Sequence, residues 1–179
     1  KGFALSGAFA MACHAKTGLA QSMARELMPQ GIHVANVPID GPVILAPNHF
    51  SNMDHFFAGL YIRRRIRFMA KSQMFGSNAL LDYIYRVGGV FPVRRGYHDE
   101  EAFITAHSIF DRGGTVLMYA EGGRQRTKDM GQPKPGLGRL ALESGVPVVP
   151  IAIHGSEHAR EAKHGVLPKV TVQFGSPVT

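Results

Sequence analysis

The chain has 179 residues, of which 45% are hydrophobic, and its 20 Lys and Arg residues outnumber 13 Asp and Glu residues to give a formal charge of +7. A chain of this length and composition can form one sizeable core, and no linker rich in Pro, Gly or Ser divides it. The single cysteine, Cys13, excludes an internal disulfide and a cysteine-rich metal site. The positive charge favours polyanionic partners, namely anionic lipid, nucleic acid or phosphorylated substrates.

Apolar runs typical of strands alternate along the chain with segments typical of helices. We expect strands from Val43 to Ala46, Ile66 to Ala70, Val90 to Val93, Thr115 to Tyr119, Val146 to Ile153 and Lys169 to Phe174. Helices are expected from Met53 to Ile62 and from Leu137 to Ser144. This alternation predicts an α/β fold, a single-domain layered sandwich with a mostly parallel central sheet flanked by helices. No run reaches the roughly 18 apolar residues that a membrane span requires.

The first candidate site follows the first predicted strand, where a histidine and a carboxylate lie five positions apart, at His49 and Asp54. Residues five apart on one helix lie about 140° apart around its axis, so these two can meet only across a turn. Ser51 and Asn52, both favoured at helix N-termini, predict that turn. A carboxylate beside one imidazole nitrogen makes the other a better proton acceptor, which is the arrangement of a general base. A simple strand end followed by a helix cap is the alternative interpretation.

Basic residues are concentrated at two further places. The run from Arg63 to Arg67 follows the first predicted helix and indicates either a solvated face or a contact to acidic headgroups or phosphates. Arg94 and Arg95 end the third predicted strand, where ligands of open α/β sheets collect and where an arginine can bind a phosphate through two hydrogen bonds. An exposed turn explains that pair equally well. Because no aromatic residues are interleaved with the basic ones in a known binding module, we expect no nucleic-acid partner.

The fourth predicted strand ends in Glu121-Gly122-Gly123-Arg124. Its two glycines allow a backbone to approach a ligand closely, and its charged residues offer an acceptor and a donor, although a turn would also use these glycines. The first, third and fourth predicted strands therefore all end in polar or charged residues. We expect no His-x-x-x-His pair on one face of a helix, and therefore no metal.

In this order, these places resemble the sequence blocks of the glycerophospholipid acyltransferase family, which includes the 1-acylglycerol-3-phosphate acyltransferases. Asn48-His49 to Asp54 resembles the first block and Phe91 to Arg95 the second. Glu121 to Arg124 resembles the third block and Val149 to Ala152 the fourth. The resemblance extends over residues 41–179, which we take as the acyltransferase domain.

The resemblance implies transfer of a fatty acyl group from acyl-CoA or acyl-acyl carrier protein to the hydroxyl of a lysophospholipid, without a cofactor or metal. It implies that His49 deprotonates the hydroxyl and that Asp54 orients the imidazole. Arg95 together with Glu121, Gly122 and Arg124 would bind the phosphate end of the acceptor. Gly123 departs from the family pattern, which commonly has threonine there, so one hydroxyl donor is missing. The implied location is peripheral, on the anionic cytoplasmic face of the cell membrane.

The leading segment, residues 1–40, is similar instead to a fragment of a short-chain dehydrogenase. Lys16 matches the catalytic lysine of those enzymes, but Ala12 stands where their tyrosine is expected, and no glycine-rich nucleotide loop precedes it. We therefore expect a leading helix and strand without the dehydrogenase active site.

Two functions from other classes remain open at this point. A non-catalytic module could bind anionic lipid or nucleic acid through Arg63 to Arg67, with no dependence on His49. An NAD-dependent reductase would rest on the leading segment alone.

Overall fold

The computed structural model describes residues 41–60, 62, 64–76, 78–94, 99–125, 129–158 and 169–179. The leading segment and Arg95 lie outside these ranges, so the predictions made for them stay predictions. The strands are β1 (Val43–Pro47), β2 (Ile66–Lys71), β3 (Val90–Val93), β4 (Thr115–Leu117), β5 (Val148–His154) and β6 (Thr171–Phe174). The helices are α1 (Asp54–Leu60), α2 (Ala79–Val87), α3 (Glu100–Phe110) and α4 (Pro135–Ser144), with a 3₁₀ turn at Ser72–Met74.

The six strands form one sheet in the order β3-β2-β4-β1-β5-β6. All neighbouring strands run parallel except β6, which is antiparallel to β5. The α/β class and the mostly parallel sheet predicted from the alternation are confirmed.

Both faces of the sheet are covered by apolar side chains, because successive residues of a strand point to opposite faces. On one face, Val43 and Leu45 of β1 join a buried cluster with Ala58 of α1. On the other face, Ile44 lies in a cluster with Ala106 of α3 and Leu140 of α4. This arrangement gives the predicted layered sandwich and buries the centre of the sheet.

The predicted strands match the structure with shifts of one or two residues at their ends, but the prediction for β5 is wrong in one respect. The run from Val146 to Ile153 is apolar throughout, which predicts a central strand buried on both faces. In the structure β5 is second from the edge of the sheet, and Pro150 and His154 are exposed while Val149 and Ile151 are buried. Only one face of β5 is fully covered.

The candidate sites lie at opposite ends of the parallel strands. We call these ends the carboxyl edge and the amino edge of the sheet. Since β1, β4 and β5 are parallel, the segments that follow them meet at the carboxyl edge, where His49 and Glu121 lie. Arg64 and Arg65 of the basic run instead precede β2 at the amino edge, where Arg64 donates a hydrogen bond to the carbonyl of Gly113 just before β4. Arg64 therefore contributes to the joining of two strands on the side opposite His49. Within the described ranges, no helix has the length and apolarity needed to cross a bilayer.

Candidate active site

His49 and Asp54 are brought together as the spacing predicts. The imidazole Nδ1 of His49 lies 2.9 Å from Oδ2 of Asp54, whose side chain is fully buried, while the histidine side chain keeps 15% of its surface exposed. Because an ionised carboxylate can only accept hydrogen bonds, Nδ1 donates and Nε2 is left as the proton acceptor. The pair therefore has the geometry that a general base requires.

The turn between the two residues is held by the same carboxylate. Oδ2 of Asp54 accepts hydrogen bonds from the backbone N–H groups of Phe50 (2.8 Å) and Ser51 (2.7 Å). The hydroxyl of Ser51 accepts from the backbone N–H of Met53 at 3.2 Å, and α1 then begins at Asp54. Asp54 thus satisfies free N–H groups ahead of α1 and orients the imidazole with one oxygen atom.

Asn48 anchors the segment that follows β1 to the neighbouring strand β5. Its Nδ2 donates to the carbonyl of Ile153 at 2.8 Å, and its Oδ1 accepts from the backbone N–H of the same residue at 2.7 Å. The backbone of Asn48 also donates to the carbonyl of Ile151. These bonds fix the position from which His49 projects. The fourth sequence block, which lies on β5, therefore supports the first through its backbone.

We expect Asn48→Ala to lower the free energy of unfolding by about 2 to 4 kcal/mol, because two buried backbone groups of Ile153 would lose their partners. Asn52→Ala is the matched control, since Asn52 is exposed and, among the described residues, its side chain accepts only from the exposed Arg124. Urea denaturation of both variants measures the difference. A destabilisation of equal size in both would contradict the anchoring role of Asn48.

Tyr119 forms one wall of the site, a contact that sequence reasoning missed. Its ring stacks on the imidazole of His49 with the centroids 3.9 Å apart and the planes inclined by 18°. Burial raises the pKa of the phenol well above its ordinary value, and the negative charge of Asp54 adds to the increase, so the phenol stays protonated. The stacked ring limits movement of the imidazole perpendicular to its plane. The hydrogen bond to Asp54 limits its rotation within the plane. The aromatic residue two positions before the third block was the available signal.

The third block forms a tight turn after β4. The backbone N–H of Gly122 donates to the carbonyl of Tyr119 at 3.0 Å, and Gly122 has a φ of 64°. A side chain at this position would be strained, and its Cβ would lie 2.8 Å from Cδ of Lys134. Lys134 in turn donates its backbone N–H to the carbonyl of Ala120. A glycine is therefore needed at position 122 for the turn itself.

Two contacts join the third block to the first. Nη1 of Arg124 donates to Oδ1 of Asn52 at 2.7 Å, and the backbone N–H of Gln125 donates to the carbonyl of His49 at 2.7 Å. The carbonyl of Gly123 accepts from the side chain of Gln125. The structure thus places Gly122, Gly123 and Arg124 beside the loop that holds His49 and Asp54.

Glu121 is the second buried carboxylate at this edge. Only 5% of its surface is exposed, and neither carboxylate oxygen has a hydrogen-bond partner among the residues that the structure describes. A buried carboxylate without a donor is energetically costly. Glu121 is therefore suited to accept a hydrogen bond from a ligand or to pair with a cation.

The second block is described only up to Arg94. Its guanidinium is exposed and pairs with Glu101 at 2.8 Å, while its backbone N–H donates to Asp99, the N-cap of α3. Arg95, the predicted phosphate ligand, lies outside the described residues. No group of three or more His, Cys, Asp or Glu side chains that could hold a metal ion occurs in the described part of the chain.

Comparison with known proteins identifies the family. Residues 26–154 match the sequence profile described as Acyltransferase. Since this match includes most of the chain, the chain belongs to the acyltransferase family.

The relatives include a probable 1-acyl-sn-glycerol-3-phosphate acyltransferase from Mycoplasma genitalium, which is 29% identical over 136 residues, or 70% of this chain and 50% of that protein. A glycerol-3-phosphate acyltransferase from Colwellia psychrerythraea is 28% identical over 136 residues, which cover 66% of this chain and 16% of that protein. The chain thus spans half the length of the first relative and much less of the second.

A solved structure has the same fold. The crystal structure of the 1-acyl-sn-glycerophosphate (LPA) acyltransferase PlsC from Thermotoga maritima matches with a TM-score of 0.69 at 20% sequence identity. The match covers 98% of this chain and 72% of that one. At this identity the similarity concerns the fold.

Proposed function

We propose that this protein transfers a fatty acyl group from acyl-CoA or acyl-acyl carrier protein to the free hydroxyl of a lysophospholipid such as 1-acylglycerol-3-phosphate, in phospholipid biosynthesis. The observation that supports this most directly is the 2.9 Å contact between Nδ1 of His49 and Oδ2 of Asp54 at the carboxyl edge of the sheet. Membership of the acyltransferase family and the names of its relatives support the choice of reaction.

The reaction needs one proton acceptor. Nε2 of His49 takes the proton of the acceptor hydroxyl as its oxygen adds to the thioester carbonyl, and the charge of Asp54 stabilises the imidazolium that forms. The tetrahedral intermediate then collapses with cleavage of the carbon–sulfur bond. The proton passes from the imidazolium to the leaving thiolate, so that an ester and a free thiol are released. No covalent acyl-enzyme and no metal is required.

The acceptor's polar end is assigned to the third block. Arg124 offers a guanidinium and Glu121 accepts a hydrogen bond, while Gly122, between these two residues, forms the turn after β4. Gly123 contributes no hydroxyl donor. Arg95 completes this group in the proposal. The corresponding location is the anionic cytoplasmic surface of the cell membrane, where such acceptors are found.

The test is acyl transfer by the purified chain with acyl-CoA and, separately, acyl-acyl carrier protein, with products identified by mass spectrometry. We expect diacylated product from 1-acylglycerol-3-phosphate. Monoacylglycerol is the matched acceptor without a phosphate, and we expect its kcat/KM to be lower by about tenfold to a hundredfold, because charge-assisted hydrogen bonds would be lost. Absence of transfer with both donors, or equal use of both acceptors, would contradict the proposal.

Glycerol 3-phosphate is the second acceptor to be tested, since the Colwellia psychrerythraea relative is named for that substrate. The same purified protein also tests the alternative function, a non-catalytic binding module. It requires salt-sensitive binding of vesicles or oligonucleotides in a protein that transfers no acyl group.

A further inference from the structure

Helix α2 presents an apolar stripe to the outside of the molecule. The exposed fractions are 67% for Leu80, 56% for Tyr83, 50% for Ile84 and 37% for Val87. Positions separated by three, four and seven residues lie on one side of a helix. In a helix of a globular domain such a stripe normally faces the core.

The opposite side of α2 contacts the segment that leads into the helix. Both carboxylate oxygens of Asp82 accept from the backbone N–H of Gly76 at 3.0 Å. The ring of Tyr85 makes an edge contact with Phe75, with the centroids 5.5 Å apart. At about 100° per residue, Asp82 and Tyr85 point away from the stripe. The stripe is therefore exposed, and the polar and aromatic contacts of α2 lie on its other side.

The exposed stripe begins near the carboxyl edge, where β2 ends, and runs toward the amino edge, where β3 begins. α2 connects β2 to β3, and the 3₁₀ turn that follows β2 at the carboxyl edge contains Met74, which is 43% exposed. Lys71 at the end of β2 and Arg86 in the last turn of α2 are both exposed. Asp82, the acidic residue of α2, is held by Gly76. An apolar stripe flanked by basic side chains is the arrangement that interfacial helices use on anionic membranes.

We propose that this docking face, composed of Met74, Leu80, Tyr83, Ile84 and Val87, inserts into the interface of a lipid bilayer that contains anionic lipid. The identity of the lipid substrates rests on the proposed function, but the docking does not require catalysis. Tyr83 suits this position because a phenol can bury its ring and keep its hydroxyl at the headgroup level. Docking here would hold the protein at the membrane that contains its acceptors.

The test compares two double variants of the full chain. Leu80→Gln with Ile84→Gln removes apolar groups from the docking face while retaining a residue that favours helix formation. Ile104→Gln with Leu142→Gln is the matched control, since these residues are 65% and 88% exposed but lie on α3 and α4. Helices α3 and α4 both pack on the face of the sheet opposite α1, so the control changes a different surface.

Sedimentation with phosphatidylcholine vesicles, with and without phosphatidylglycerol, measures the partition coefficient. We expect the wild type and the control to bind phosphatidylglycerol vesicles, and the docking-face variant to bind about tenfold to a hundredfold more weakly. If acyl transfer is detected, the docking-face variant should retain kcat/KM for a short-chain, water-soluble lysophosphatidate and lose it for substrate presented in vesicles. Failure of the proposed function would abolish both activities in the wild type but leave the binding result intact.

Three outcomes would overturn the docking proposal. One is unchanged vesicle binding by the docking-face variant. Another is a wild-type dimer in sedimentation equilibrium that dissociates in this variant, which would make the face an interface between copies of the chain. The third is a large fall in its unfolding midpoint relative to the control, which would mean that the chain itself covers the face.

Discussion

Replacing His49 with alanine is expected to lower kcat/KM for acyl transfer by about a hundredfold to ten-thousandfold, the usual contribution of a positioned general base. The physical reason is that the acceptor hydroxyl is a poor nucleophile until its proton has a destination. Asp54 would remain in place but could not replace the imidazole, because its side chain is fully buried and cannot reach the hydroxyl. Initial rates with the donor and acceptor identified in the assay measure the loss.

The control for this variant is His107→Ala. His107 lies in the last turn of α3, at the end of the helix that leads into the amino end of β4 and thus away from the carboxyl edge. We expect it to keep wild-type turnover. Substantial and equal turnover by His49→Ala and His107→Ala would eliminate the proposed base, whereas equal losses would point to a general effect on folding.

The contacts within the His49 loop were predictable because they are local. A strand, a turn formed by residues that favour helix caps and a helix that begins at Asp54 leave few ways to arrange seven residues. The sequence signals for each step agree. The carboxylate could therefore be placed beside the imidazole without knowledge of the rest of the fold. The strands were predictable for a similar reason, since each is a short apolar run between turn residues.

Contacts between distant parts of the chain were not predictable in the same way. Tyr119 and His49 are 70 positions apart, and their stacking follows from β4 and β1 being neighbours in the sheet. Asn48 bonds to Ile153, on the other neighbour of β1. The order of strands in a parallel sheet decides both contacts, and residue patterns within single strands do not specify that order. Family resemblance placed the blocks in one site without giving these contacts.

Clusters of charged residues predicted the position of the candidate site less well than the ends of the predicted strands did. The run around Arg64 is the densest basic segment, yet the structure places it at the amino edge, where Arg64 bonds to Gly113. Composition cannot distinguish the two edges of a sheet, whereas the direction of a strand can. The outward orientation of the apolar side of α2 could likewise not be predicted from the sequence. An amphipathic pattern predicts that one side is apolar but does not specify which side faces the core.

Replacing Asp54 with asparagine separates the charge of this residue from its role in the turn. Asparagine has nearly the same shape, and its side-chain oxygen can occupy the position of Oδ2 and accept from His49, Phe50 and Ser51. The side-chain NH2 group of the asparagine would then take the place of Oδ1, which has no hydrogen-bond partner among the described residues. We expect the loop to survive and turnover to fall by about a hundredfold to ten-thousandfold, because a neutral partner stabilises the imidazolium less.

Asp54→Ala is the companion variant, and the two together distinguish catalysis from folding. Alanine would leave the buried N–H groups of Phe50 and Ser51 without their acceptor, so we expect the free energy of unfolding to fall by about 2 to 4 kcal/mol in addition to the loss of turnover. Urea denaturation and initial rates measured on both variants give the two quantities. An Asp54→Asn protein that turns over within about threefold of wild type would mean that the negative charge contributes little to the reaction. Asp54 would then act by shaping the turn, and His49 would need a different partner for its proton transfer.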